Sequence, residues 1–378
     1  MKILVAGGAG AMGRASVTDL TGQSDVEQVV IGDLNIKEAE KFAATFGDSR
    51  VISRKIDITD PENLKVAFAD VDIVVNASWY EYNIDIMKGC LASGCNYVDL
   101  GGLYNLTVKQ LKLDQAFKDA GLIACLGLGA APGMTNILAI HGAKKLDKVD
   151  EVHMRTGSIG GKGFAYSPKT VLDECTMNPI MFLGGEWVTL EPLSGKQKYT
   201  MPEPVGEVEG FYSIHSELAT LPNNIPGVKN VTFRVAFSKK LINMVETLLA
   251  LELTSNKPVN IKGVQIVPRE VLDKVLGLKP IVGYVEEYKS LQVEVKGYKD
   301  SKPLSITYET LVESNKEINL KGSAIWTGFP AAIVALMIGR GQIQVTGALP
   351  SELVVEPDTF IAELAKRNIV ISEHMIAG

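Results

Sequence analysis

Histidine and cysteine are scarce in this chain, with four of each among 378 residues. Cys90, Cys95, Cys125 and Cys175 form no CxxC pair and have no histidine at zinc-ligand spacing, so no metal site is expected and the thiols read as reduced and structural. Basic residues are not in excess. The formal net charge of −6 gives no electrostatic reason to expect nucleic acid or an anionic membrane as partner. No window approaches the ~18 apolar residues of a membrane span. No leader precedes Met1-Lys2, which runs straight into an apolar strand, so a cytoplasmic location is expected. No lysine follows Gly13, as a GxxxxGK[ST] phosphate loop requires, which disfavours a kinase or ATPase. Internal repeats and low-complexity tracts are missing too.

What is present is the composition of a soluble globular protein, on a chain too long for one ordinary domain. In the first third, apolar runs at 3–6, 26–31, 51–56, 71–76, 97–100 and 122–126 alternate with amphipathic stretches such as Ile36, Ala39, Phe42, Ala43 and Phe46. Strand–helix alternation of this kind predicts an α/β fold, a doubly wound parallel sheet covered on both faces. After about residue 148 the pattern changes. Runs at 149–158, 228–238, 248–254, 291–297 and 304–313 alternate Lys and Glu with apolar residues, which predicts a second, α+β domain on a largely antiparallel sheet with one wet face. The Pro- and Gly-rich segment 192–226 reads as loop, and a long ordered loop is more often functional than idle. Helical spacing returns from Phe329.

Gly8-x-Gly10-x-x-Gly13, after a strand and before a helix, is the dinucleotide fingerprint. Gly8 permits the tight turn, Gly10 the approach of a pyrophosphate, and Gly13 close helix–strand packing. Ala11 and Met12 then open the helix whose N-terminus faces the anion. Asp33 ends the second strand at the spacing of a ribose-binding acid. A carboxylate there accepts from a 2′-hydroxyl and repels a 2′-phosphate, and Leu34-Asn35 offer no arginine, so NAD is expected over NADP. Asp57-Ile58 ends the third strand, where an adenine edge would lie. Asn76-Ala77 ends the fourth, near the nicotinamide half, although Asn76 also fits as a strand-end turn residue.

The stretches VVNASWYEYNIDIMKGCLASGCNYVDLGG and LGLGAAPGMTNILA resemble the saccharopine dehydrogenase family, and the order of motifs matches over almost the whole chain. The resemblance implies a Rossmann domain of residues 1–128 completed by 325–378, with a substrate-binding and dimerisation domain at 129–324. It implies hydride exchange between a nicotinamide and a carbon bonded to an amino nitrogen, an amino-acid substrate and a homodimer. Carried over by position, Tyr80 and Asp99 face the substrate, Ala131-Pro132 belongs to the loop beneath it, and Lys169 in YSPK is a cation for a substrate carboxylate. HSELATLP, residues 215–222, occupies the place of a segment that reaches into the cleft. RVAFSKK departs from the R-Y-P-G-H-like stretch of many members; Arg234 is the loose counterpart, which puts lysine itself in doubt as substrate.

The chemistry asks for a base beside the amine, because a protonated amine has no lone pair to assist hydride loss. His215, in the polar run Ser213-Ile214-His215-Ser216-Glu217, is the best fit, with titration expected near the ordinary histidine value of ~6.5. Glu217 would orient it or bind a cationic amine. Asp99, before two glycines, suits a ligand role or a turn cap. The expected function is an NAD-dependent amino-acid dehydrogenase of the lysine or saccharopine type. One rival is an NADPH-dependent reductase that forms a secondary amine, as in carboxynorspermidine synthesis; another is a silent dinucleotide sensor.

Overall fold

The computed structural model describes residues 1–161, 164, 166–277 and 284–377. Two sheets organise it. The first is parallel, in the order Gly347–Pro350, Ile123–Leu126, Asn96–Asp99, Ile73–Asn76, Lys2–Ala6, Gln28–Asp33 and Val51–Lys55. Helices cover both faces, so Ile3, Leu4 and Val5 are all fully buried, which is why these strands read as unbroken apolar runs. The order reverses between Lys2–Ala6 and Ile73–Asn76, and a ligand crevice opens at such a point, beyond the carboxyl ends of the strands. This is the doubly wound architecture expected from the sequence.

The second sheet runs Gln197–Thr200, Glu207–Tyr212, Asn230–Val235, Lys148–Gly160, Glu287–Lys299, Lys302–Glu313 and Ile371–Ala377. Its one parallel pair on that path joins Asn230–Val235 to Lys148–Gly160, and its other neighbours are antiparallel. Along Glu287–Lys299, Leu291, Val293 and Val295 face the core while Gln292 and Glu294 face outward, which is the period-two pattern of a sheet with one wet face.

Four expectations are corrected. Residues 248–254 are not a strand: Lys239–Ala250 is a helix, started by the Ser238 hydroxyl accepting from Leu241 N–H, and a turn follows. Its apolar spacing of three and four had been hidden by a short apolar run. The segment 192–226 holds the hairpin Gln197–Thr200 with Glu207–Tyr212, a 3-10 turn at Ser216–Ala219 and the helix Leu221–Asn224. Its prolines and glycines mark turns between elements. The C-terminal segment returns to the parallel sheet through Gly347–Pro350, but Ile371–Ala377 crosses back to pair with Lys302–Glu313. Finally, the helix Gly322–Gly339 does reach the length and hydropathy of a membrane span, at 18 residues and 1.6. It is a core helix here, 83% buried. Gly328 lets it approach the helix Ala11–Thr21 closely, and the Ser16 hydroxyl donates to the Gly328 carbonyl at 2.9 Å.

Candidate active site

The glycine turn follows Lys2–Ala6 directly. Gly7 takes φ +72°, and a Cβ on Gly13 would run into the Gly7 carbonyl, so both positions require glycine. Gly8 N–H donates to Gly32 O at 3.0 Å and Gly10 N–H to Gly7 O at 2.9 Å. Gly10 is the N-cap of Ala11–Thr21 and no side chain caps that end, so the first-turn amides around Ala11 and Met12 face the crevice. A cleft of about 520 Å³ opens there, with Gly10, Ala11, Arg14, Asp33 and Lys321 in its wall. These residues fit a dinucleotide pyrophosphate on the helix end.

Asp33 binds the turn as well as facing the cleft: Oδ2 accepts from Ala9 N–H at 3.1 Å and Oδ1 from Asn35 N–H at 3.0 Å. Arg14 was not singled out by sequence reasoning as a cofactor residue. Its guanidinium lies 4.2 Å above the Phe42 ring, Nε donates to Ala9 O at 2.9 Å, and Glu38 stands 3.7 Å away. A cation therefore does stand at the ribose end, brought there by the helix turn instead of by the strand end. Asp33→Ala is expected to weaken NADH by roughly 1–3 kcal/mol and NADPH by less, because Arg14 remains. Titration of both cofactors checks this; equal losses would contradict the ribose assignment.

Ala77 borders the glycine turn through its backbone, with its N–H donating to Ala6 O at 2.8 Å. Asp57 spends its carboxylate on Thr59, whose N–H and hydroxyl lie at 3.0 and 2.6 Å, and with Ile58 it stands outside the cleft wall among the described residues. Asn76 is corrected to an interior residue. Its Nδ2 donates to Asn83 Oδ1 at 2.8 Å, and its Oδ1 accepts from Ser78 N–H and the Ser78 hydroxyl.

Asp99 is likewise corrected from a catalytic role. It has no exposed surface, and five donors converge on its carboxylate: Gly101 N–H, Gly127 N–H, the Tyr97 hydroxyl and the amides of Asn83 and Gln110. Burial pushes its pKa up against those donors. Asp99 pins the loops after two strands, and those loops carry the next layer. Pro132, after a cis peptide from half-buried Ala131, wedges its ring against Gly101 and Gly127. Pro132 is buried, so it supports the pocket floor without facing substrate.

The A-P-G-M-T-N turn then holds the segment from His215 onward. The Thr135 hydroxyl donates to Glu217 Oε1 at 2.6 Å. Asn136 Nδ2 donates to Glu352 Oε2 at 2.9 Å, and Gly102 N–H to the Ser216 hydroxyl at 3.2 Å. His215 and Glu217 are buried, at 5% and 0% exposure, and Nδ1 of the imidazole meets Glu217 Oε2 directly. The ring stacks on Phe233 at 3.8 Å. Burial lowers the imidazole pKa, but the carboxylates of Glu217 and Glu174 outweigh it and hold His215 above the ordinary histidine value. This corrects the expected titration near ~6.5. Glu174, also buried, accepts from the Tyr166 hydroxyl at 2.6 Å; desolvation raises its pKa.

Two expected substrate cations lie elsewhere. Arg234 alternates with Phe233, so it faces the opposite side of the sheet from His215. There it covers Tyr212 at 4.1 Å and donates to Gly195 O. Lys169 sits 3.4 Å above the Trp79 ring and 3.9 Å from Asp273. Tyr80 donates to Asp173 Oδ2 at 2.7 Å, and Arg269 bridges Asp173 and Asp273, so Tyr80 and Lys169 join the inserted domain to the strand-end loop. The remaining histidines are occupied structurally: His141 by Asp358, His153 by Thr232 and Glu151, His374 by Glu309. All four cysteines are free and buried.

A glycine-turn nucleotide cleft at the parallel sheet, together with a buried imidazole–carboxylate pair against the second sheet, is the equipment of a dinucleotide-binding oxidoreductase. The chain belongs to the saccharopine dehydrogenase family: the family's NADP binding domain matches residues 3–125 and its C-terminal domain residues 129–370. It is 26% identical to a carboxyaminopropylagmatine dehydrogenase of Synechocystis sp., over 97% of this chain and 96% of that one. It is also 26% identical to a carboxynorspermidine synthase of Vibrio cholerae, over 94% and 92%. In fold it resembles apo saccharopine dehydrogenase (L-Glu forming) from Saccharomyces cerevisiae, with a TM-score of 0.76 and 16% identity over the whole of both chains. Homospermidine synthase from Legionella pneumophila, solved with NAD, gives a TM-score of 0.70 at 14% identity, over 100% of this chain and 91% of that one.

Proposed function

We propose that the protein exchanges hydride between a nicotinamide dinucleotide and a carbon bonded to nitrogen in a carboxylated polyamine, working in the direction that forms a secondary amine. The observation that carries this is the buried group of His215, Glu217 and Glu174. Two buried carboxylates around one imidazole suit an ammonium-bearing substrate, and the relatives named for carboxylated polyamines support that class over free lysine. When bound, the nicotinamide supplies or accepts the hydride.

The chain's own residues manage the proton. An imidazole held above its ordinary pKa by neighbouring carboxylates keeps its proton to higher pH than a free one, which suits it to act as an acid. In the synthetic direction a primary amine adds to an aldehyde to give a carbinolamine. His215 gives its proton to the hydroxyl, which leaves as water, and the nitrogen lone pair forms the iminium that takes hydride. Glu217 fixes the ring through Nδ1, so Nε2 is the nitrogen that acts, and Thr135 fixes Glu217. NAD is favoured by Asp33, with Arg14 leaving NADP accessible.

The test offers carboxynorspermidine, saccharopine and lysine with NAD and NADP and follows nicotinamide absorbance. Turnover of carboxynorspermidine with kcat/KM at least ~tenfold above saccharopine is expected. Turnover of lysine alone would return the protein to the amino-acid dehydrogenases, and cofactor binding without turnover of any amine would make it a sensor.

A further inference from the structure

The carboxylate half of such a substrate needs a cation, and the two that the sequence offered are engaged elsewhere, Arg234 over Tyr212 and Lys169 over Trp79. Arg269 is committed to Asp173 and Asp273, and Arg155 pairs with Gln292 and Glu294 on the outer face of the sheet. Lys321 belongs to the wall of the nucleotide cleft. Among the described residues, Lys289 is the buried lysine. Lys289 lies on Glu287–Lys299, in the same period-two row as Leu291, Val293 and Val295, so its side chain points to the core side of the sheet. The residue is 8% exposed. Its nearest carboxylate, Glu287 Oε2, is 4.0 Å away, and Glu287 Oε1 accepts from Ser323 N–H at 2.7 Å. No hydrogen bond to Lys289 Nζ is made among the described residues.

A lysine buried along its stem, with no hydrogen-bonded acceptor at its ammonium, suits a ligand that supplies one. Its neighbours show which way it faces. Desolvation pushes the Lys289 pKa down, Glu287 and Glu174 push it back, and Lys321 opposes them. Glu174 in turn interacts with His215 and Glu217. The register gives the same side: Phe233, on which His215 stacks, pairs with Met154, and Met154 pairs with Val293, so Lys289 lies on the sheet face that carries the imidazole, four residues along the strand from Val293.

We propose that Lys289 is the specificity residue that holds the carboxylate of the substrate, with Glu287 as the weak internal counter-ion that this carboxylate displaces. The proposal rests on the functional reading above as to substrate class. The pocket is then sorted by charge. Glu174 receives the amine beside His215, and Lys289 receives the carboxylate. Sequence reasoning missed it because one lysine in an alternating strand looks like a member of the wet face; only the register of the strand puts it inward.

The experiment uses carboxynorspermidine and norspermidine, which differ by one carboxylate, titrated calorimetrically into the full chain saturated with reduced cofactor so that no turnover occurs. Wild type should prefer the carboxylated member by about 10–100-fold, the worth of a charge-assisted hydrogen bond. Lys289→Met should bring that preference to within about threefold, through weaker carboxynorspermidine binding with norspermidine unchanged. Lys289→Arg should keep part of it. Glu287→Gln, which keeps an acceptor for Ser323 N–H while removing the competing charge, should increase the preference, an outcome that a purely structural lysine would not give. If Lys289→Met fails to fold, Glu287→Gln decides. A wild type indifferent to the carboxylate, a Lys289→Met variant that keeps the preference, or a Glu287→Gln variant that does not raise it would each overturn the assignment. Failure of the functional reading is separate: it would appear as carboxylate-dependent binding with no hydride transfer in the oxidised-cofactor assay.

Discussion

His215→Asn is expected to lower kcat by ~10²–10⁴, the usual worth of general acid–base catalysis, while cofactor affinity stays unchanged. The asparagine keeps a polar group beside Glu217 but cannot titrate. The pH profile carries the sharper signature. The wild-type imidazole sits above its ordinary value because Glu217 and Glu174 outweigh burial, so its acid form persists to higher pH than that of a free imidazole. The synthetic rate should therefore hold below that raised pKa and fall as pH rises through it. The oxidative rate, which needs the imidazole unprotonated, should rise over the same interval. Both limbs should vanish in His215→Asn. A variant with wild-type kcat at every pH would end the acid–base assignment and turn attention to Glu174. A raised KM with an unchanged kcat profile would make His215 a binding group instead. Glu217→Gln should lower the pKa of the limb without abolishing it, since the imidazole loses one of its two carboxylate neighbours.

The second large effect is on stability. Asp99→Ala would leave two glycine N–H groups, a tyrosine hydroxyl and two amides without their acceptor inside the protein. At ~1–3 kcal/mol for a buried unsatisfied group, with partial relaxation, the loss should reach roughly 3–5 kcal/mol in urea unfolding. Asp99→Asn should cost less, because its remaining oxygen still accepts from Gly101 and Gly127. The activity readout separates structure from catalysis. If Asp99 only pins the loops, activity per folded molecule should survive in Asp99→Asn. An inactive, fully stable Asp99→Asn would restore the catalytic role that its place at a strand end suggests.

The Asp99 case shows how one local pattern serves two chemistries. An acid at the carboxyl end of a parallel strand, followed by glycines, is what a ligand site needs and also what a buried turn anchor needs. The two differ only in which way the carboxylate points, and that depends on Asn83 and Gln110 arriving from two helices. Asn76 is ambiguous in the same way and resolves inward. The histidine was easier to find because it stands in a polar run with an acid two residues on. Its raised pKa was not legible, since Glu174 comes from a different helix.

By itself the sequence determined the parallel-sheet domain, the glycine turn with Asp33, the change to an alternating sheet after about residue 148, and the pairing of His215 with Glu217 in one segment. All of these rest on periodicity or on residues a few positions apart, which local geometry fixes. The tertiary structure decided what depends on long-range register and on which face a side chain takes. It seated Thr135 under Glu217 across 82 positions. It set Arg234 on the sheet face opposite His215 and Lys289 in the buried row, brought Arg14 beside Asp33, and returned the last strand to the second sheet. In a strand, one step of register exchanges inside for outside, and no single segment carries the partner that sets that step.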